Sequence, residues 1–148
     1  MNKNYDKKNI FFKILSGKIP CDKVLESQYS LAFRDINPRA KVHVLVIPKK
    51  PYLNLGDFTL YADNLEKVDI FDCISEVVKK EKIMNDGYRV LTNIGENGHQ
   101  EVQHLHFHIL GGQPLGGFIK KLLINLMNYM NRQPNKNWLD GLKGSQFL

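Results

Sequence analysis

The residues with the most chemistry to offer are His104, His106 and His108, in the run Gln103-His104-Leu105-His106-Phe107-His108-Ile109-Leu110 that leads into Gly111-Gly112. The chain has 5 histidines and spends three of them here. Their alternation with apolar residues predicts a strand with all three imidazoles on one face and Leu105, Phe107 and Ile109 on the other. Successive rings on such a face stand roughly 7 Å apart along the backbone. A row of this kind supplies a nucleophile, a proton donor and hydrogen-bond donors near neutral pH.

Three isolated structural histidines are a poor account of the pattern, because burying adjacent imidazoles without partners costs the desolvation of every ring nitrogen. Two chemistries remain. A His-x-His pair can supply two zinc ligands, with His43 or His108 as a third. Alternatively, one ring nitrogen attacks phosphorus while its neighbours hold the phosphoryl oxygens and protonate the leaving group. The residue types alone leave both open.

The elements that must position the row follow from periodicity. Ile10, Phe11, Ile14 and Leu15 recur at helical spacing and predict a short helix over about 9–16, ended by Ser16-Gly17-Lys18-Ile19-Pro20. Residues 24–27 and 29–35 predict two short strands joined by a tight turn, and Asn37-Pro38 a further turn. The β-branched run Val42–Pro48 predicts a central strand stopped by its proline. A long helix is expected over about 58–80, with Tyr61, Leu65, Val68, Phe71, Ile74, Val77 and Val78 as its buried stripe. Residues 88–93 predict a strand that pairs with the histidine strand across the Gly95–Gly98 turn. A further helical candidate carries Ile119, Leu122, Leu123, Leu126, Met127 and Met130. This order predicts an α+β fold: a mostly antiparallel five-stranded sheet with a short N-terminal helix, one long covering helix and a C-terminal helical tail.

The totals narrow the class. The 148 residues suit a single domain large enough to bury a core without disulfides or metals. Cys21 and Cys73 match no zinc or redox spacing, and residues 1–8 lack the apolar core of a signal peptide, so a reduced, cytoplasmic setting is expected. The net charge of +6 favours anionic partners. No signature of a nucleic-acid-binding module is present, and no apolar run is long enough to span a bilayer, so neither nucleic acid nor membrane is expected as a partner.

The alternation His104-Leu105-His106-Phe107-His108-Ile109-Leu110 resembles the signature of the histidine triad (HIT) nucleotide-binding proteins. Two further blocks carry the likeness in the same order: Phe33-Arg34-Asp35-Ile36-Asn37-Pro38 with His43-Val44-Leu45-Val46-Ile47-Pro48-Lys49-Lys50, and Asn93 with Gly98-His99-Gln100-Glu101-Val102. The Gly111-Gly112 ending is similar to the Hint branch. The resemblance implies a HIT domain over 1–113, and the apolar spacing beyond it predicts a C-terminal extension over 114–148 that packs on the domain or on a dimer partner. It implies hydrolysis of purine nucleoside 5′-phosphoramidates or adenylate conjugates to the monophosphate, without metal or cofactor, by a homodimer whose sheets join. A dinucleoside polyphosphate hydrolase and a non-catalytic nucleotide-binding regulator are the alternatives.

The resemblance also implies roles. His106 would be the nucleophile that becomes nucleotidylated, His108 would bind phosphate and assist the leaving group, His104 would orient the nucleophile, and His43 would be the fourth histidine. Asp35 would take the ribose hydroxyls. Ile10, Phe11, Ile14, Phe33, Ile36 and Leu45 would line the base pocket, and Asn93, Gln100, Glu101 and Val102 would border the phosphate. The chain departs from the pattern at Pro51, where His is common, at His99 in place of a small glycine, at Gln103 in place of an aromatic, and after Gln113.

Overall fold

The computed structural model describes residues 5–117. The predicted tail helix over about 119–130 lies outside them. The described elements are α1 (Ile10–Leu15), β1 (Lys23–Glu26), β2 (Ser30–Arg34), β3 (Val42–Pro48), α2 (Leu55–Tyr61), α3 (Asn64–Lys80), β4 (Tyr88–Leu91) and β5 (Phe107–Gly111). The strands form one five-stranded sheet in the order β1-β2-β3-β5-β4. Every neighbouring pair is antiparallel.

β3 lies at the centre and is buried at every position after Val42. Its continuous apolar run reflects cover on both faces. On one face Val44 and Val46 join Ala32, Leu105, Phe107 and Ile109 beneath Ile70, Cys73, Ile74, Val77 and Val78 of α3. On the other, Leu45 and Ile47 join Leu31, Phe33 and Phe11, with Ile14, Leu15 and Val102 packed alongside. Burial of the apolar side chains contributes about 1.5–3 kcal/mol for each large one.

Two expectations need correction. The single helix over 58–80 is two helices. Asp63 caps α3: its carboxylate accepts from the Glu66 N–H at 2.9 Å, and Glu66 reaches back to the Asp63 N–H at 3.2 Å. This reciprocal cap satisfies two otherwise orphaned donors and starts a new helix where the hydrophobic pattern runs on unbroken. Asn54 caps α2 in turn.

The expected buried stripe holds in the second half of the helix, at Ile74, Val77 and Val78, and fails in the first. The face of α3 on the sheet is Glu66, Ile70, Cys73, Ile74, Val77 and Val78. Leu65, Val68 and Phe71 are 66%, 59% and 61% exposed, and Tyr61 in α2 is 71% exposed. The buried Glu66 carboxylate is compensated by Lys50 Nζ and the Tyr52 hydroxyl, each at 2.9 Å. α3 therefore has two apolar faces, one on the core and one outward.

Candidate active site

The row begins before its strand. β5 starts at Phe107, and His104 to His106 approach it as irregular backbone held by Leu105 N–H donating to the Tyr52 carbonyl at 2.7 Å. The expected separation of faces nevertheless holds. Leu105, Phe107 and Ile109 pack in the α3 core. The rings of His106 and His108 lie 5.0 Å apart, and Phe11 stands edge-on to both His104 and His106, at 6.0 and 5.2 Å. His43 enters from β3, opposite Leu110, with its ring 5.1 Å from that of His108.

Hydrogen-bond partners assign the tautomer of each ring. The His104 ring lies between a carbonyl acceptor, Pro48 O at 2.9 Å from Nε2, and the Tyr5 hydroxyl at Nδ1. His104 is thus Nε2–H, with its Nδ1 lone pair accepting from Tyr5. His106 Nδ1 lies 2.7 Å from the carbonyl oxygen of His104 and donates to it, which leaves the lone pair on Nε2. His43 Nδ1 accepts from the Arg39 N–H at 3.2 Å, so its Nε2–H donates to His108 Nδ1 at 2.9 Å. The proton of a neutral His108 therefore sits on Nε2, a buried atom with no partner within the protein. An unpaired buried donor costs about 1–3 kcal/mol, and an incoming oxygen acceptor relieves that cost.

The electrostatics agree with these assignments. Burial lowers the pKa of all four rings. That of His104 falls to about 4, chiefly through desolvation. That of His108 also falls to about 4, through desolvation and then the neighbouring His106 and His43. Near neutral pH the row is uncharged.

The remaining candidate residues divide. Phe11, Phe33 and Leu45 are buried together, with Ile14 and Val102 packed against them. Asp35 has a carboxylate oxygen 3.5 Å from His43 Nε2 and also accepts from the Asn37 N–H at 2.7 Å. Ile10 is exposed and Ile36 is 84% exposed. Gln100 turns inward: it accepts from Gly95 N–H and donates to the carbonyls of Leu53 and Val102. Glu101 is exposed and faces His99 at 3.3 Å, while Asn93 donates to the His99 carbonyl at 3.5 Å. Tyr5 was missed in the sequence, where a lone tyrosine in a polar leader carries no periodic signal.

Asp35, His43 and His108 offer ligand atoms within 4.8 Å of one another and could hold a divalent ion. The geometry of the pair argues against a ready-made site. The facing nitrogens of His43 and His108 are spent on one hydrogen bond, so ligating a common ion through them would mean giving up that bond and its proton.

A family model for the HIT domain matches residues 16–115. The chain belongs to the HIT family. It is 47% identical over 121 residues to an uncharacterised 13.2 kDa HIT-like protein of Azospirillum brasilense, covering 82% of this chain and 99% of that one. It is 38% identical over 108 residues to the purine nucleoside phosphoramidase of Escherichia coli, covering 72% and 89% of the two chains. Among solved structures, the HIT family hydrolase of Clostridium thermocellum superposes with a TM-score of 0.71 at 35% identity, covering 77% of this chain and 98% of that one. The histidine row of this HIT sheet lies on the face away from α3.

Proposed function

We propose that this HIT protein hydrolyses purine nucleoside 5′-phosphoramidates or adenylate conjugates to the nucleoside monophosphate through a nucleotidyl-His106 intermediate. One observation carries the reading: the His106 Nδ1–H is held by the His104 carbonyl, which leaves Nε2 as a lone pair beside the unpartnered Nε2–H of His108. A nucleophile and a donor for a phosphoryl oxygen thus stand side by side.

In the first step His106 Nε2 attacks the α-phosphorus and the bond to the leaving nitrogen breaks. The amine departs with the proton that the phosphoramidate nitrogen carries into the site, and the Nε2–H of neutral His108 donates to a phosphoryl oxygen, since its Nδ1 is held as the acceptor of the His43 Nε2–H. In the second step water attacks phosphorus, its proton is released with the monophosphate to solvent, His108 Nε2–H stays on the phosphoryl oxygen, and His106 leaves with its Nδ1–H still on the His104 carbonyl. Asp35 takes the ribose hydroxyls, and Phe11, Phe33 and Leu45 form the apolar wall of the base site. The E. coli relative named as a phosphoramidase supports this choice of substrate class.

The same reading makes the protein a cytoplasmic homodimer. Leu60, Tyr61, Leu65, Val68 and Phe71 expose an apolar face across α2 and α3, and β4 ends the sheet on one side. A second copy would cover that face and extend the sheet. No helix among the described residues is long and apolar enough to cross a membrane.

The deciding experiment incubates the protein with adenosine 5′-phosphoramidate in chelator, quenches in base, and looks by mass spectrometry for adenylate on the peptide carrying residues 104–108. Adenylate is expected on the wild type and none on His106→Ala. Tight AMP binding with neither adduct nor turnover would leave a nucleotide-binding protein, and faster turnover of a dinucleoside polyphosphate would move the substrate class.

A further inference from the structure

The bonds of His104 lead out of the site to the leader of the chain. Tyr5 is buried, its ring stands edge-on to His104 at 5.6 Å and to Phe12 at 6.2 Å, and its hydroxyl reaches His104 Nδ1. A short turn holds it there: Lys8 N–H donates to the Asp6 carboxylate at 2.7 Å, and Asn9, which caps α1, donates to the Asp6 carbonyl at 2.6 Å. Desolvation keeps the Tyr5 phenol above its ordinary pKa, with Asn9 opposing, so the hydroxyl retains its proton.

We propose that Tyr5 is a positioning residue for the nucleophile: its hydroxyl locks the His104 ring, and the locked residue presents the carbonyl that fixes the His106 tautomer. The inference rests on the reading of His106 as nucleophile. His104 Nε2–H is engaged by Pro48 O at 2.9 Å, so a neutral ring presents a lone pair at Nδ1 and needs a donor there. The residue has 0% exposure, and Tyr5 supplies that donor. The need is local. His104 and His106 precede the first residue of β5, so no ladder bond orients the His104 carbonyl. The side-chain bonds of His104 and the Leu105 bond to Tyr52 do that work instead. Without the hydroxyl, the Nδ1 lone pair is left unpaired in a buried space, and the ring relieves it by turning away, which breaks the Nε2–H bond to Pro48. The His104 carbonyl then loses its anchor, and His106 spends part of its time with the proton on the attacking nitrogen.

The test is Tyr5→Phe in the full chain, followed by single turnover of adenosine 5′-phosphoramidate, the dissociation constant for AMP, and 15N NMR of the histidine rings. A tenfold to hundredfold fall in the chemical rate is expected, about the cost of a misaligned nucleophile, with AMP affinity unchanged. The wild-type spectrum should show His104 as a hydrogen-bonded Nε2–H and His106 as Nδ1–H, and Tyr5→Phe should shift the His104 Nε2–H signal as its bond to Pro48 is lost and show mixed tautomers at His106. An unchanged rate with unchanged tautomers overturns the proposal, as does an equal loss of rate and AMP affinity, which marks a general structural role. A wild-type His104 protonated on Nδ1 overturns it without any variant. Full activity in His106→Ala would sink the nucleophile assignment instead, and the ring spectra would still judge the bond between Tyr5 and His104.

Discussion

His106 and His104 are joined through the backbone of one and the ring of the other: Nδ1 of His106 donates to the His104 carbonyl oxygen at 2.7 Å. The ring of His104, two residues earlier, is bonded at both nitrogens. Replacing it by Ala strands the Pro48 carbonyl and the Tyr5 hydroxyl in a buried space. His104→Ala should lose about 2–4 kcal/mol of stability, read as a shifted denaturation midpoint, and should slow the chemical step more than it weakens AMP binding.

His43 tests the other end of the row. His43→Ala removes the Nε2–H that donates to His108 Nδ1 and frees His108 to take either tautomer. Turnover should fall about 10- to 100-fold, while activity in the wild type should be unaffected by chelator. Loss of wild-type activity in chelator, restored by zinc, would assign Asp35, His43 and His108 to a catalytic metal.

Acid should unfold the protein through its histidine row. Burial depresses His104 from its ordinary 6.5 to about 4, so the unfolded chain binds this proton more readily than the folded one. The stabilisation is complete above about pH 6.5 and is lost as pH falls toward 4. A depression of this size corresponds to about 3 kcal/mol for the ring. Denaturation midpoints measured between pH 7 and pH 4 should therefore fall, and the fall should be shallower in His104→Asn. Because His106 is shifted the same way, the acid limb of the rate profile should lie below pH 6.5.

Gly98 closes the turn before the row. A Cβ there would stand 2.3 Å from the backbone oxygen of Ile94, and the next residue, His99, already holds a φ of 56°. Gly98→Ala cannot be accommodated by a side-chain movement. It should lower the Tm by about 5 °C or more and reduce turnover, as calorimetry and a phosphoramidate assay would register.

The outward face of α3 predicts the oligomeric state. Val68→Asp places a charge among Leu65, Phe71 and Tyr61 without entering the core. Sedimentation should show a dimer for the wild type and a monomer for the variant, with helical content retained.

The strands were readable because each imposes period two on a face with a clear polarity, and β3 because both its faces are covered. The histidine row was readable for the same reason, although alternation continued past the ladder and placed the strand's start too early. The break before α3 is written in Asp63 and Glu66, but nothing local marks the Glu66 carboxylate as buried. Its neutralisation by Lys50 and Tyr52 comes from a segment 14 to 16 residues away. Periodicity places Ile74, Val77 and Val78 correctly but misplaces the first half of the helix, because Leu65, Val68 and Phe71 make an apolar face as regular as the buried one. Tyr5 and the inward amide of Gln100 depend on contacts between segments remote in sequence, for which periodicity has no signature.

Four uncharged imidazoles also separate capture from conversion. The excess of six positive charges that would draw an anion toward the protein resides on lysines and arginines, not on these four rings. Added salt should therefore slow the arrival of nucleotide, while the rate of the bound complex at the buried row stays nearly constant.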